Sequence, residues 1–312
     1  LLKAAAMNRW FKVCAAAGCI LLQSIIGLDA GLTGSREVYA ASPDWRTTSP
    51  TRSTWLWQTH DDLQDRERTL ADLERNGINR VYLQADPDVP AGLYKAFIRE
   101  ARTKGIEVHA LGGAPDWILP GSNVKMYVLI NWVKRYNQNA APEERFTGIH
   151  LDVEPYVLPQ WQDDTDKMLG LFMDTISGFV QEVRAETGLA AGADLPVWLE
   201  QFQVRDGYGG RTTLSDWMIR RLDQTTLMAY RTRARDIVSS VSREMKEAAR
   251  RGKSVTVAVE TAEASEPDLS FYTEGRARMD AVLDEACRSF QAEASFAGFA
   301  VHDFENWRKL GP

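Results

Sequence analysis

The stretch TGIHLDVEPY, Thr147 to Tyr156, limits what this chain can become more than any other. Side chains alternate across a β-strand, so Ile149, Leu151 and Val153 share one face while His150, Asp152 and Glu154 share the other. Such a strand needs a hydrophobic layer behind it and a polar opening in front. Pro155 disfavours helix for Glu154 and keeps its backbone extended, which sets the carboxyl at the strand exit. An ion-paired Asp-x-Glu in an ordinary sheet would satisfy the same pattern, so the motif takes its meaning from the rest of the chain.

That rest alternates strand and helix. Strands are predicted at Ser53–His60, Ile78–Asp86, Ile106–Gly113, Thr147–Tyr156 and Leu189–Trp198, then in QTTLMAYR, SVTVAVET and SFAGFAVHDF. Helices fall between them, closed by Asn76-Gly77, Gly105 and Gly188. The apolar stripe Met168, Leu169, Phe172, Ile176, Phe179, Val180 and Val183 marks the longest. Eight strands joined by helical connections predict an α/β fold, a single (β/α)8 TIM barrel of about 250 residues. A doubly wound open sheet would usually bring a glycine-rich phosphate loop after an early strand, and the chain has none.

The barrel is expected over residues 54–312. After Met7 come Arg9 and Lys12, an apolar run from Val13 to Leu28, and the small-residue pattern Val38-Tyr39-Ala40, which together read as a leader of residues 1–40 that directs export. Residues 41–53, rich in Pro, Ser and Thr, read as a tether. Without the leader the formal net charge moves from −6 to −8, which disfavours nucleic acid as a partner. Cys14 and Cys19 lie in the leader and leave Cys287 alone, so the exported domain is expected to hold by packing, without an intrachain disulfide or disulfide-linked partner, as a monomer.

Period-two phasing indicates which side chains line the barrel mouth. It places Gln58 and His60 inward from strand one and Gln84 and Asp86 from strand two. His109, Asp194, Tyr230, Glu260 and His302 follow from strands three, five, six, seven and eight. Trp55 and Trp57 fall on the outer face of strand one. A purely structural barrel end is filled with branched apolar residues, so this polar convergence points to chemistry.

The chain resembles the chitinase-like barrels of glycoside hydrolase family 18, in ALGG (Ala110 to Gly113), GIHLDVEPY, LMAY (Leu227 to Tyr230) and GFAVHDFENW (Gly298 to Trp307). The resemblance implies Glu154 as proton donor, Asp152 as the residue that steers a substrate N-acetyl group, and Tyr230 as the strand-six tyrosine. Thr147 and His150 stand where the family motif has its two earlier aspartates, and Arg231 stands where an aspartate is common. The chain is similar also to retaining glycosidases that carry one glutamate at the end of strand four and one at strand seven. Glu154-Pro155 and Glu260 match that pair, which implies a proton donor and a nucleophile about 5 Å apart. Either route requires Glu154 to carry a proton, and Asp152 is expected to be ionised beside it. Ion pairing of Glu260 with Arg231 or Arg233 is the structural alternative for that residue, and His150 reads as a core histidine satisfying Asp152 or Tyr230 in preference to a direct catalytic role.

Flat aromatic rings near the strand exits, Trp117, Tyr156, Trp161, Trp198 and Tyr208, suit the apolar faces of sugars, although some serve only to pack loops. Arg231, Arg233 and Arg235 form a basic run that surface ion pairing would explain. The expectation is thus a secreted glycoside hydrolase of an extracellular or cell-envelope polysaccharide, without cofactor or metal, in which Glu154 acts as acid. Glu260 is its expected nucleophile and Asp152 the agent of the substrate-assisted alternative. Gln84, Asp86, His109, His150, Trp117, Tyr156, Trp198, Arg231 and His302 are the expected substrate contacts. Two other classes fit the composition: a metal-dependent hydrolase using the four histidines, and a carbohydrate-binding barrel without catalysis.

Overall fold

The computed structural model describes Trp45 and residues 49–311. The expected leader, with its cleavage pattern and two cysteines, lies outside the described residues. Eight parallel strands close into a barrel: β1 (Thr51–Leu56), β2 (Arg80–Gln84), β3 (Glu107–Gly112), β4 (Gly148–Leu151), β5 (Ala190–Pro196), β8 (Gln224–Met228), β9 (Val255–Glu260) and β10 (Phe296–His302). Strand β10 pairs with β1 and completes the circle. The pair β6 (Gln203–Arg205) and β7 (Arg211–Thr213) is an antiparallel hairpin outside the barrel.

Helices return the chain from each strand to the next. In chain order they are α1 (Thr59–Gln64), α2 (Arg66–Arg75), α3 (Ala91–Thr103), α4 (Val124–Gln138), α5 (Pro159–Asp163) and α6 (Thr165–Glu186). The second half adds α7 (Leu214–Arg221), α8 (Ala234–Ser240), α9 (Ser242–Arg250), α10 (Gly275–Phe290) and α11 (Phe304–Lys309). The long helix α6 starts where the Asp164 carboxylate accepts the Lys167 backbone N–H at 3.2 Å, and it buries the whole apolar stripe read from sequence. These faces join the outward residues of the strands in one continuous hydrophobic layer around the barrel.

The lumen holds a separate, smaller cluster: Trp55, Tyr82, Leu111, Ala258 and Ala300, with Trp57 and Tyr230 against it. Strand β1 is therefore phased opposite to expectation. The strand ends at Leu56, which faces the helices, while Trp55 and Trp57 point inward. Gln58 sits past the strand and His60 is an exposed residue of α1. Alternation could not decide between the phases, because WLW buries an apolar group either way. Room decides it. Ala258 and Ala300 leave space inside that Trp55 and Tyr82 fill, and His109 and His150 take the room left by Gly148 and Gly192.

The barrel also starts earlier than the tether reading allowed. Thr51 to Ser53 open β1, and Trp45 is fully buried, edge-on to Phe299 at 6.0 Å and beside Trp307 at 6.3 Å. Its backbone N–H donates to Asp284 Oδ1 at 2.8 Å. Trp45→Ala is therefore expected to lose about 3–5 kcal/mol of stability, read as a lower urea midpoint at unchanged slope. An unchanged midpoint would return this segment to the role of a tether.

Candidate active site

Strand β4 ends at Leu151, and the chain runs on through Asp152, whose N–H donates to Gly112 O at 3.1 Å. That bond continues the β3 ladder by one step and aims Asp152 across the mouth. Gly113 makes the approach possible, since a Cβ there would lie 1.8 Å from Asp152 O. Glu154 follows at the exit, just before a 3₁₀ turn that begins at Pro155. The Tyr156 hydroxyl donates to Glu154 Oε2. Burial, and then the Glu154 charge, push the Tyr156 phenol well above its ordinary pKa, so it remains a donor.

Burial also pushes Asp152 well above the carboxylate range, with Asp194 and Glu154 adding to the shift and His302 opposing it. The surroundings thus favour the protonated form of Asp152 over the ionised one expected from sequence. The reason is the crowd of acids in a space that excludes water. Asp194 reaches this place from β5 and is itself pushed well up by burial, against hydrogen bonding from Trp55. Its Oδ2 accepts Trp55 Nε1–H at 3.0 Å, and its Oδ1 lies 2.8 Å from His150 Nε2. His150 stacks on Tyr82 with ring centroids 3.9 Å apart. Burial, then the charge of Arg80, pull its pKa down to about 3. It is a core histidine, as its sequence reading had it, but its partner is Asp194.

On the far side of the mouth Glu260 ends β9. Its Oε1 accepts the backbone N–H groups of Thr261 and Ala262, both at 2.7 Å, and its Oε2 accepts from His302 Nδ1 at 2.9 Å. The partner of Glu260 is thus His302; Arg233 pairs with Asp268 at 3.6 Å and Arg231 donates to Tyr230 O at 2.6 Å. Burial works against the His302 charge, but the hydrogen bond and charge of Glu260, helped by Asp303 and Asp152, outweigh it and raise the pKa to about 9. Trp57 Nε1–H points at His302 Nε2 from 3.3 Å, a contact that favours the neutral ring. The shorter, charge-assisted bond to Glu260 prevails. Tyr230 closes the group, tilted over His302 at 6.2 Å, its phenol raised by burial and by Glu260.

Glu154, Asp152, Tyr230, Glu260 and His302 therefore share one opening, with His150 and Asp194 below them. Other expected contacts lie elsewhere. Gln84 ends β2, half-buried. Asp86 belongs to the following turn, its N–H donating to the Tyr94 hydroxyl at 2.8 Å and its Oδ1 accepting from Asp88 N–H at 2.9 Å. His109 is buried on the barrel floor near Arg80 and Glu107, since the rim of strand three comes four residues later, at Gly113. Trp117 is half-buried in a 3₁₀ turn against Gly112. Tyr156 and Trp198 meet edge to face at 4.9 Å beside Trp161 and Phe202, a loop cluster in which Trp161 is buried. Tyr208 tips the β6–β7 hairpin, 85% exposed. The four histidines do not converge on one point. Trp55, read as an outer-face residue, lies inside, and Asp194, read as an inward group of strand five, is where phasing put it, though its partners were not legible.

No family model matches the chain, and no curated protein does. Solved structures do match. A chitinase from Bacteroides thetaiotaomicron superposes with a TM-score of 0.55 at 11% identity, over 82% of this chain and 90% of its own. A xylanase-A-amylase inhibitor protein gives 0.52 at 13%, over 83% and 94%. A GH113 β-1,4-mannanase gives 0.50 at 14%, over 82% and 88%. The resemblance read from the motifs thus extends to the fold. The neighbours span several kinds of protein, so the choice among them rests on the side chains.

The Glu260–His302 pair carries a pH signature. Because the folded pKa of His302 lies above the usual 6.5, its contribution to stability is fully present below about pH 6.5 and is lost as pH rises through about 9. Glu260→Gln should move the His302 NMR titration from about 9 down to 6.5 or lower. It should cost on the order of 3 kcal/mol at pH 6, a deficit that shrinks above pH 9. An unmoved titration would mean that the pair does not form.

Proposed function

We propose that this chain is an exported glycoside hydrolase that cleaves an N-acetylated glycan by substrate assistance, with Glu154 as the acid. The single observation that carries the reading is the contrast between the two candidate carboxyls. Glu154 stands at the strand exit with a phenol donor on one oxygen and Asp152 beside it, whereas both oxygens of Glu260 are engaged and its charge is balanced by His302. A carboxylate whose charge is already compensated is a weak nucleophile, so the attack on the anomeric carbon falls to the substrate's own acyl oxygen. That reverses the order expected from sequence, where Glu260 came first.

In this reading the Asp152–Glu154 pair holds a proton that Glu154 delivers to the glycosidic oxygen as the bond to the anomeric carbon breaks. The acetamido oxygen forms the new bond to that carbon from the other face. The acetamido N–H then carries positive charge, which Asp152, having yielded its proton, stabilises. Water later attacks the anomeric carbon, the bond from that carbon to the acetamido oxygen breaks and restores the acetamide, and the water's proton passes to Glu154 and so back to the Asp152–Glu154 pair. Tyr230 donates to the acetamido oxygen, and the Tyr156–Trp198 rings offer an edge for the sugar. The fold shared with a chitinase supports this choice, and the basic, then apolar, then small-residue order of residues 1–40 supports export.

The test is reducing-end release by the whole chain from neutral, acidic and N-acetylated polysaccharides. Release is expected from N-acetylated polymers alone, falling by about 10²–10⁴-fold in Glu154→Gln. Cleavage of a polymer without acetamido groups, abolished equally by Glu260→Gln, would replace assistance by a nucleophile at Glu260. Binding without turnover would make the chain a sugar-binding barrel.

A further inference from the structure

The lumen beneath the mouth contains an acid that the proposed reaction does not use. Strands β4 and β5 pair in register up to Leu151 opposite Ala193, so Asp152 and Asp194 come next, side by side on neighbouring strands and both facing inward. Adjacent strands lie about 4.8 Å apart, which brings each carboxyl within reach of the other's charge. Two buried carboxyls so placed cannot both ionise freely.

Hydrogen bonding decides which one does. His150 Nδ1 is buried without a partner and faces Gly192, where a Cβ would come within 2.7 Å. A buried N–H with no acceptor is costlier than a bare lone pair, so the ring proton belongs on Nε2. Nε2–H therefore donates to Asp194 Oδ1 at 2.8 Å, while Trp55 Nε1–H donates to Oδ2 at 3.0 Å. Each oxygen of Asp194 thus accepts an N–H from a rigid, fully packed ring, the arrangement that suits a carboxylate. Asp152 is the opposite case: its Oδ1 is buried with no partner, which suits a neutral carboxyl.

We propose that Asp194 is a positioning residue: an anion fixed one strand away by Trp55 and His150, it keeps on Asp152 the proton that Glu154 delivers. The assignment deepens the glycosidase reading above and rests on it for its purpose, though not for its test. The groups facing Asp152 are Asp194 from β5, Glu154 and His150 from its own strand, Tyr230 after β8, and His302 from β10 with Glu260 behind it. Among them Asp194 is the strongest electrostatic influence that holds the proton on. The two aspartates act as a pair, one preset as acceptor and one as donor, and the sequence motif contains only the second.

Infrared difference spectroscopy on the whole chain tests this without any substrate. A protonated carboxyl has a C=O stretch distinct from that of a carboxylate, and subtraction of variant from wild type cancels the other buried acids, Asp62 and Glu244 among them. At pH 7 Asp152→Asn should delete one protonated-carboxyl band. Asp194→Asn should keep that band and lower its titration midpoint by at least one pH unit, a tenfold loss of proton affinity. Should Asp194→Asn fold poorly, Trp55→Phe keeps an aromatic ring in place but removes one donor. The band should then weaken at Asp152 as proton density shifts to Asp194. Deletion of the band by Asp194→Asn and not by Asp152→Asn would overturn the assignment, as would a band that neither variant touches. Failure to cleave any glycan would refute the proposed activity and leave these spectra interpretable.

Discussion

The water-poor lumen of the closed barrel governs everything above it. Closing eight parallel strands turns every second side chain into a space that solvent does not fill, and a charged group placed there must find a partner or lose its charge. In this chain the lumen is only partly apolar. Trp55, Tyr82, Leu111 and two alanines fill one part. Asp194, His150, Asp152, Glu260, His302 and Tyr230 occupy the rest, with Asp194 held by His150 and Trp55 on one side and Glu260 paired with His302 on the other. The indole of Trp55 belongs to both parts, filling volume with its ring and binding Asp194 with its N–H. Packing and chemistry are therefore not separable at that residue.

The two halves of the mouth solve the same electrostatic problem differently. On the β9–β10 side the negative charge is kept and matched, by His302 and by two backbone N–H groups. On the β4–β5 side burial and neighbouring acids raise Asp152 and Asp194 alike, and in the proposed reading one of the two keeps a proton for Glu154. A group that must give up a proton belongs on the second side, and a group that only needs to stay charged belongs on the first. That division, more than the presence of two glutamates at strand ends, separates the roles of Glu154 and Glu260.

Much of the fold was legible because it is written in period. The strand-helix alternation, the outer faces of strands four and seven, and the stripe of α6 all follow from spacing, and the structure carries them where spacing put them. Strand one was not legible, since WLW offers an apolar residue to either face and the deciding fact, the small residues at 258 and 300, lies on two other strands. His109 was phased rightly but placed too high. Alternation tells which face a residue occupies and not how far along the barrel axis it lies. Asp86 failed for a related reason, because strand two ends before it and a turn claims its carboxylate. The partnership of Asp194 with His150 depends on lateral register between strands, which no single strand's sequence contains.

Gly113 draws these threads into one position. The third strand leaves the barrel past the main chain of Asp152 with no side chain between them, so the shape of the opening is set there by an atom that is missing. The turn that follows keeps its own anchors, Ile118 in the core and Trp117 against Gly112, but it lies beyond the point of contact with Asp152. Position 113 has no latitude: any larger residue would wedge the third and fourth strand exits apart and turn Asp152 out of line with its neighbour on β5. Divergence among barrels of this design should therefore be generous around the rim and arrested at this one point, which makes it a better marker of a shared mouth geometry than the acidic residues themselves.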